Sequence, residues 1–295
     1  MGGGTAKMKA AAGNQKKGEI DRMCGLARST TTRNQKKAAT ALEKISGMGD
    51  LYCIEMAELG VIAVTAILAE SKSAIVRYKV ALMLQNMARV NFIRPQLLAE
   101  RASMTILDLF KHNKPVGLHQ ALTAAVDEFS SLADARIELL PTIKPILEFL
   151  HIANLQEQLV VLSAIAKITE SVECQFKALK MNVLETMFNL ALSEFHTYRH
   201  KALAMKTLSH ITSNPACLPY VVRFKCEKLT HPLHGPAAAV FAKMCRIRDL
   251  EMLPYVVQTV CNIMCTSEEM CLDMSQWGLF TEVFSFSFFL CLLLL

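Results

Sequence analysis

Met83-Leu84-Gln85-Asn86-Met87-Ala88 runs small or apolar, apolar, any, polar, large apolar, small. The same six-position word stands at Ala41-Leu42-Glu43-Lys44-Ile45-Ser46, Ala125-Val126-Asp127-Glu128-Phe129-Ser130 and Ala164-Ile165-Ala166-Lys167-Ile168-Thr169. It returns at Ala204-Met205-Lys206-Thr207-Leu208-Ser209 and Val240-Phe241-Ala242-Lys243-Met244-Cys245. Its large apolar residue falls at Ile45, Met87, Phe129, Ile168, Leu208 and Met244, in steps of 42, 42, 39, 40 and 36 residues. A period of about 40 residues marks a helical array whose units cannot bury their own apolar faces and stack to do so. The fold class is therefore all-α, a solenoid of repeats.

Breaks between the words divide each unit further. Gly47-Met48-Gly49-Asp50 follows the first word, Gly60 separates Leu51–Leu59 from Val61–Ala69, and Ser71-Lys72-Ser73 precedes the helix that carries the next word. Pro95, Pro141, Pro215 and Pro219 sit where new helices begin, the first-turn position that tolerates proline. Each unit is thus expected to hold three helices, one short and two longer. From Met244 to Ile263 is only 19 residues, which predicts an irregular unit near 246–254 that has lost helices. The expected organisation is a disordered basic segment over 1–18, one solenoid domain over 19–284 and a hydrophobic tail over 285–295.

Composition agrees with helix: 52% of the residues are hydrophobic, and Gly, Pro, Trp and Tyr are few. The net charge of +6 is uneven. Residues 1–46 carry ten Lys or Arg against three acids, leaving a near-neutral body. A nucleic-acid-coating protein would spread its basic footprint over the fold, so direct nucleic-acid binding is not expected. The ten cysteines are scattered without a disulfide framework or a preceding signal peptide, which points to a reducing compartment, cytoplasmic or also nuclear.

The run Glu58-Leu59-Gly60-Val61-Ile62, then Ala69-Glu70-Ser71, then Ala81 and Leu84-Gln85-Asn86-Met87-Ala88 resembles the armadillo repeat. Thr259–Cys265 followed by Gln276-Trp277-Gly278-Leu279-Phe280 follows the same scheme. The resemblance covers roughly residues 20–284 and implies a right-handed superhelix of about six to seven three-helix repeats. It also implies that the word-bearing helix lines a concave groove, where one Asn per repeat holds the backbone of an extended peptide. Here that position reads Lys44, Asn86, Glu128, Lys167, Thr207, Lys243 and Asn262. The nuclear-import adaptors of the family carry Trp four residues earlier. Thr40, Leu82, Ala124, Ser163, Leu203, Ala239 and Gln258 stand there instead, which disfavours that activity.

Lysine offers donors and a point charge, which suits carboxylates or phosphates on a ligand. Lys44, Lys167 and Lys243 are accompanied on their helices by Lys36, Lys37, Arg77, Lys79, Arg199 and Lys201. This resembles the catenin-like use of a basic groove to hold acidic, extended segments. The candidate partner-binding residues are Lys37, Lys44, Lys79, Asn86, Lys167, Arg199, Lys243 and Asn262. The expected function is a non-enzymatic scaffold or adaptor that binds a protein, with no cofactor and no small-molecule substrate. The rival is a structural subunit of a cytoskeletal, ciliary or trafficking assembly that docks a folded partner.

No other constellation competes. His196 and His200 are four apart but lack the Glu and third ligand of a metal site, and read as surface residues beside Arg199 and Lys201. His231 and His234 flank Pro232 and fare no better. Cys261, Cys265 and Cys271 contain no Cys-x-x-Cys, and the first two read as one core-facing stripe. There is no phosphate-binding glycine loop and no nucleophile elbow. Gly2 suggests myristoylation, but Ala6 stands where Ser or Thr is needed. Val283–Leu295 is uncharged and shorter than the ~20 residues of a spanning helix. It is read first as an end that packs on the last repeat, then as a marginal membrane anchor or a docking segment.

Overall fold

The computed structural model describes residues 16–112, 116–222, 224, 237–247 and 249–265. The expectations for 1–15, for His231 and His234, and for the run from 266 through the hydrophobic tail concern residues outside the described ones. All regular structure among the described residues is helical, and no single helix there is long and apolar enough to cross a membrane. The chain divides into two compact units, one ending at Ile146 and the other beginning at Leu147, where one continuous domain was expected.

The first unit opens with α1 (16–27) and α2 (Thr32–Ser46). Two triplets follow: α3 (Asp50–Glu58), α4 (Val61–Ala69) and α5 (Ala74–Ala88), then α6 (Arg94–Ala99), α7 (Ala102–Phe110) and α8 (Val116–Phe129). The third triplet is α9 (Ala135–Leu139), α10 (Ile143–Leu150), which the unit division crosses, and α11 (Leu155–Thr169). The second unit continues with α12 (Val172–Leu179), α13 (Val183–Leu192) and α14 (Tyr198–Thr212), then α15 (Leu218–Val222), α16 (Ala237–Arg246) and α17 (Leu253–Met264). The α3–α5 triplet measures 9, 9 and 15 residues, so it is two short helices and one long, against the expected one short and two longer.

The long helices make two ladders. In the first unit α5 packs between α2 and α8; in the second α14 packs between α11 and α17. The reason is visible on α5, which buries Val76, Val80, Met83, Leu84 and Met87 at helical spacing and adds Ala81 and Ala88 on a neighbouring face. Such a helix is buried on two sides and leaves a narrow open strip through Ile75, Tyr78, Leu82 and Asn86. Small residues at Ala39, Ala81, Ala125, Ala164 and Ala204 are each fully buried and let successive helices approach. The shorter helices form a second layer, with α4 against α7 and α13 against α16.

The last unit corrects the sequence register. The helix carrying the sixth word, α16, does not stack on α14; it packs on α13 and α17, in the second-layer place. The ladder position after α14 belongs to α17. The apparent half repeat between Met244 and Ile263 is therefore the normal passage from a second-layer helix to its ladder helix. The true step runs from Leu208 to Ile263, both fully buried. Val240, Phe241, Met244 and Cys245 are buried as the word requires, but any helix facing a core needs that pattern.

Entry into the second helix of a triplet repeats one backbone device. Gly60 has φ 73°, and α3 and α4 meet at 85° across it. The corresponding corners at Arg101 and Asn182 have φ 58° and 62° without a glycine. In the third triplet Leu140–Thr142 make a single tight helical turn instead, with Pro141 in its first turn. Cys261 on α17 and Cys265 just after it, expected in the core, are both exposed.

Two expectations about stability follow. Leu84→Ala and Ile165→Ala, at side chains 1% and 0% exposed, are expected to cost ~2–5 kcal/mol each in chemical denaturation. Gly60 has open space for a methyl group, so Gly60→Ala should cost only the left-handed backbone penalty of ~1–2 kcal/mol. Arg101→Gly should be neutral or mildly stabilising by the same measure.

Candidate functional site: the open face of the ladder helices

The strip that each long helix leaves open carries the candidate residues. On α2 it is Arg33, Lys36, Lys37, Thr40 and Lys44, all exposed. None of its four cations makes a hydrogen bond or ion pair with a described residue. Glu43, on the same helix, accepts from Lys79 Nζ of α5 at 2.9 Å. One turn further, Asn86 Nδ2 donates to Ser46 Oγ at 3.1 Å. Lys79 and Asn86, both half-buried, are therefore reach-back residues that tie α5 to α2, not free groove residues as expected.

The 42-residue step places Lys37 and Lys44 at the positions of Lys79 and Asn86. Each would reach back in the same way, but α2 is the first ladder helix among the described residues. Glu128, at the same position on α8, is taken by Arg94 at 2.9 Å, while Arg94 Nε also donates to the Ala88 carbonyl at 2.6 Å. The amide position is thus used mostly to fasten helices together.

In the second unit Asn262 of α17 repeats the pattern. Its Nδ2 donates to the Ser209 carbonyl and to Thr212 Oγ1, each at 3.2 Å, and its Oδ1 accepts from Gln258 Nε2 at 2.8 Å. Both ends of this amide are engaged, so it cannot also hold a peptide backbone. Lys206 pairs with Glu170 at 3.1 Å across α14 and the end of α11. Lys167 lies half-buried on α11. Lys243 is on α16, off the ladder, near enough to Lys201 to disfavour its charge. Lys201 is itself buried, against the expected surface placement; burial first and Lys243 second hold its pKa below the usual lysine value. Arg199 is exposed at the first turn of α14 and lines a cavity with residues of α11 and α17.

His200 also departs from expectation: it is 1% exposed. Its Nε2 donates to the Leu155 carbonyl at 2.8 Å, and its Nδ1 meets Thr197 Oγ1 at 2.7 Å. His196 bonds Ser193 Oγ at 2.7 Å and Gln158 Oε1 at 3.1 Å, and the two rings lie edge to face 5.4 Å apart. The pair clasps the start of α14 to the start of α11, with all four ring nitrogens occupied.

No protein-family model matches the chain, and no curated protein matches it in sequence. Solved structures do match. An engineered protein superposes with TM-score 0.70 at 17% identity, over 88% of this chain and 61% of its own. A designed armadillo repeat protein superposes with TM-score 0.64 at 16% identity, over 83% and 99%. The fold is an armadillo-like helical repeat. A chain from a structure of the interaction between cadherin and beta-catenin superposes with TM-score 0.72 at 12% identity, over 89% of this chain and 50% of that one. This armadillo-like chain thus spans about three fifths of the engineered protein and half of the beta-catenin-complex chain. What the sequence could not show was which asparagines and lysines face outward, because a polar residue reads alike whether it meets solvent or a neighbouring helix; for Lys243 the sixth word was also given a ladder place that belongs to α17.

Asn262→Ala, which removes both hydrogen bonds from α17 to Ser209 and Thr212, is expected to destabilise the fold by ~1–3 kcal/mol in urea unfolding. Lys44→Ala should change it little. The histidine clasp predicts a pH response. Burial first, then His200 and Lys201, hold the His196 pKa below its usual value. The unfolded chain therefore takes up this proton first, and the contribution to stability is present above about pH 6.5 and is lost as pH falls below it. Thermal melts of the His196→Gln variant should show a shallower loss on acidification than the parent.

Proposed function

We propose that the chain is a non-enzymatic protein-binding scaffold whose ladder face holds an acidic, extended segment of a partner, beginning at α2. One observation carries this reading. Lys79 finds its carboxylate in Glu43, whereas Lys37, in the equivalent position one repeat earlier, has none among the described residues, nor do Lys36, Lys44 or Arg33. Four cations on the open strip of one helix attract a chain of carboxylates, and their spacing of one to two turns suits an extended or helical segment. Support from relatives is of the same kind. One designed armadillo repeat protein, similar over 83% of this chain, is solved with the basic peptide (KR)4. The exposed strip of α2 carries the same positive sign as that peptide, so the ligand here is expected to be acidic. Lys79, Asn86 and Asn262 support the fold more than the ligand, and Lys243 stands on α16, off the ladder. A reduced compartment, cytoplasm or nucleus, fits the free thiols of Cys24, Cys53 and Cys217.

The test is charge reversal in the full chain. A fluorescein-labelled glutamate-rich dodecapeptide should bind the parent with an affinity that falls as salt shortens the Debye length from ~10 to ~3 Å. Lys36→Glu, Lys37→Glu and Lys44→Glu together should weaken it by about tenfold or more. The melting temperature should hold, because these side chains are exposed and unpaired. Unchanged peptide binding in the triple variant would refute the reading. A natural partner that binds only as a folded domain, and ignores the reversal, would favour the assembly-subunit alternative.

A further inference from the structure

A cavity of about 340 Å³ opens on the ladder of the second unit, lined by Leu159, Ser163, Arg199, Ala202, Leu203, Glu251 and Tyr255. Leu159 and Ser163 are four apart on α11, Arg199 and Leu203 four apart on α14, and Tyr255 lies in the first turn of α17. The correct stacking of α17 on α14 is what builds it. Leu159, Ala202 and Leu203 are its apolar part.

Its polar groups are all uncommitted. The hydroxyls of Ser163 and Tyr255, the Arg199 guanidinium and the Glu251 carboxylate make no side-chain hydrogen bond or ion pair with any described residue. By contrast, Lys79 on α5 and Lys206 on α14 have each found a carboxylate. Arg199 and Glu251 share one cavity and remain unjoined. Three donors of hydrogen bonds with one fixed positive charge suit a single carboxylate. The acid at Glu251 disfavours a more highly charged anion and offers an acceptor to an N–H.

From this we infer that the cavity takes the C-terminal residue of a partner chain, apolar in its side chain. One such residue carries all the complementary groups on a single Cα. Its carboxylate meets Arg199, with Tyr255 and Ser163 as further donors. Its amide N–H faces Glu251, and its side chain enters between Leu159 and Leu203. The volume lies at the small end of ligand pockets, room for one or two residues. Leu155, one turn before Leu159, is exposed and continues the apolar strip beyond the cavity. The inference rests on the reading of the ladder face as a protein-binding surface, but it uses the second unit alone.

Methyl NMR of the full-length protein, following Leu159 and Leu203, tests it with four probes: N-acetyl-leucine, N-acetyl-leucinamide, leucine and leucinamide. N-acetyl-leucine should shift both methyl groups at about millimolar concentration, with the two amides about tenfold weaker or more. Arg199→Gln should abolish the preference for the acid, and Glu251→Gln should keep it; both residues are exposed, and unchanged melting confirms intact folding. Equal binding of acid and amide, or no shift from any probe, overturns the inference. Free leucine binding about tenfold tighter than its acetyl form also overturns it, by assigning the cavity to a free amino acid. The lysine reversal on α2 should leave all four probe affinities unchanged. Failure here with success there therefore separates this site from the acidic-segment reading.

Discussion

The burial of one long helix between two others is the constraint on which the remaining features depend. No triplet can cover α5 by itself, since Val76, Val80, Ala81, Met83, Leu84 and Met87 occupy more of its circumference than α3 and α4 can screen. The neighbours α2 and α8 complete the burial, as α11 and α17 do for α14. Each fully buried leucine or methionine removes apolar surface worth ~1.5–3 kcal/mol from water, so the ladder dominates the energetics of both units. The open strip is what this packing leaves over.

Polar side chains at the edge of the ladder then divide into two groups. Asn86, Arg94, Asn262 and the His196–His200 pair reach across to the neighbouring helix and bond carbonyl, amide or hydroxyl oxygens there. Once engaged they are costly to withdraw, since an unmet buried acceptor carries its full desolvation penalty. The second group has no such partner among the described residues: the cations of α2, and Arg199, Glu251, Ser163 and Tyr255 around the cavity. In a fold whose fastenings are so regular, unfastened polar groups are the informative ones.

Each unit therefore presents its own surface. The first offers four exposed positive charges on one helix, an attraction that is long-ranged, sensitive to salt and undemanding of geometry. The second offers a small cavity with charges of both signs and an apolar wall, which discriminates by shape and by the number of charges a ligand brings. These are complementary modes, the one favouring fast encounter and the other favouring specificity.

Much of the fold was legible in the chain because its signal is periodic. The word ending at Ile45, Met87, Phe129, Ile168 and Leu208 marks five of the six described ladder helices, and every one of those residues is buried. Gly60 announced its corner because only glycine takes φ of 73° freely, while Arg101 and Asn182 hide the same corner behind ordinary residues. Periodicity failed at Met244 because a second-layer helix buries a stripe of the same spacing as a ladder helix, and local pattern cannot tell which neighbour covers it. The roles of Lys79, Asn86, Asn262 and His200 were illegible for a related reason. A polar residue on an open strip reads alike whether it faces solvent or a carbonyl one repeat away, and only the stacking of α5 on α2 and of α17 on α14 decides between them.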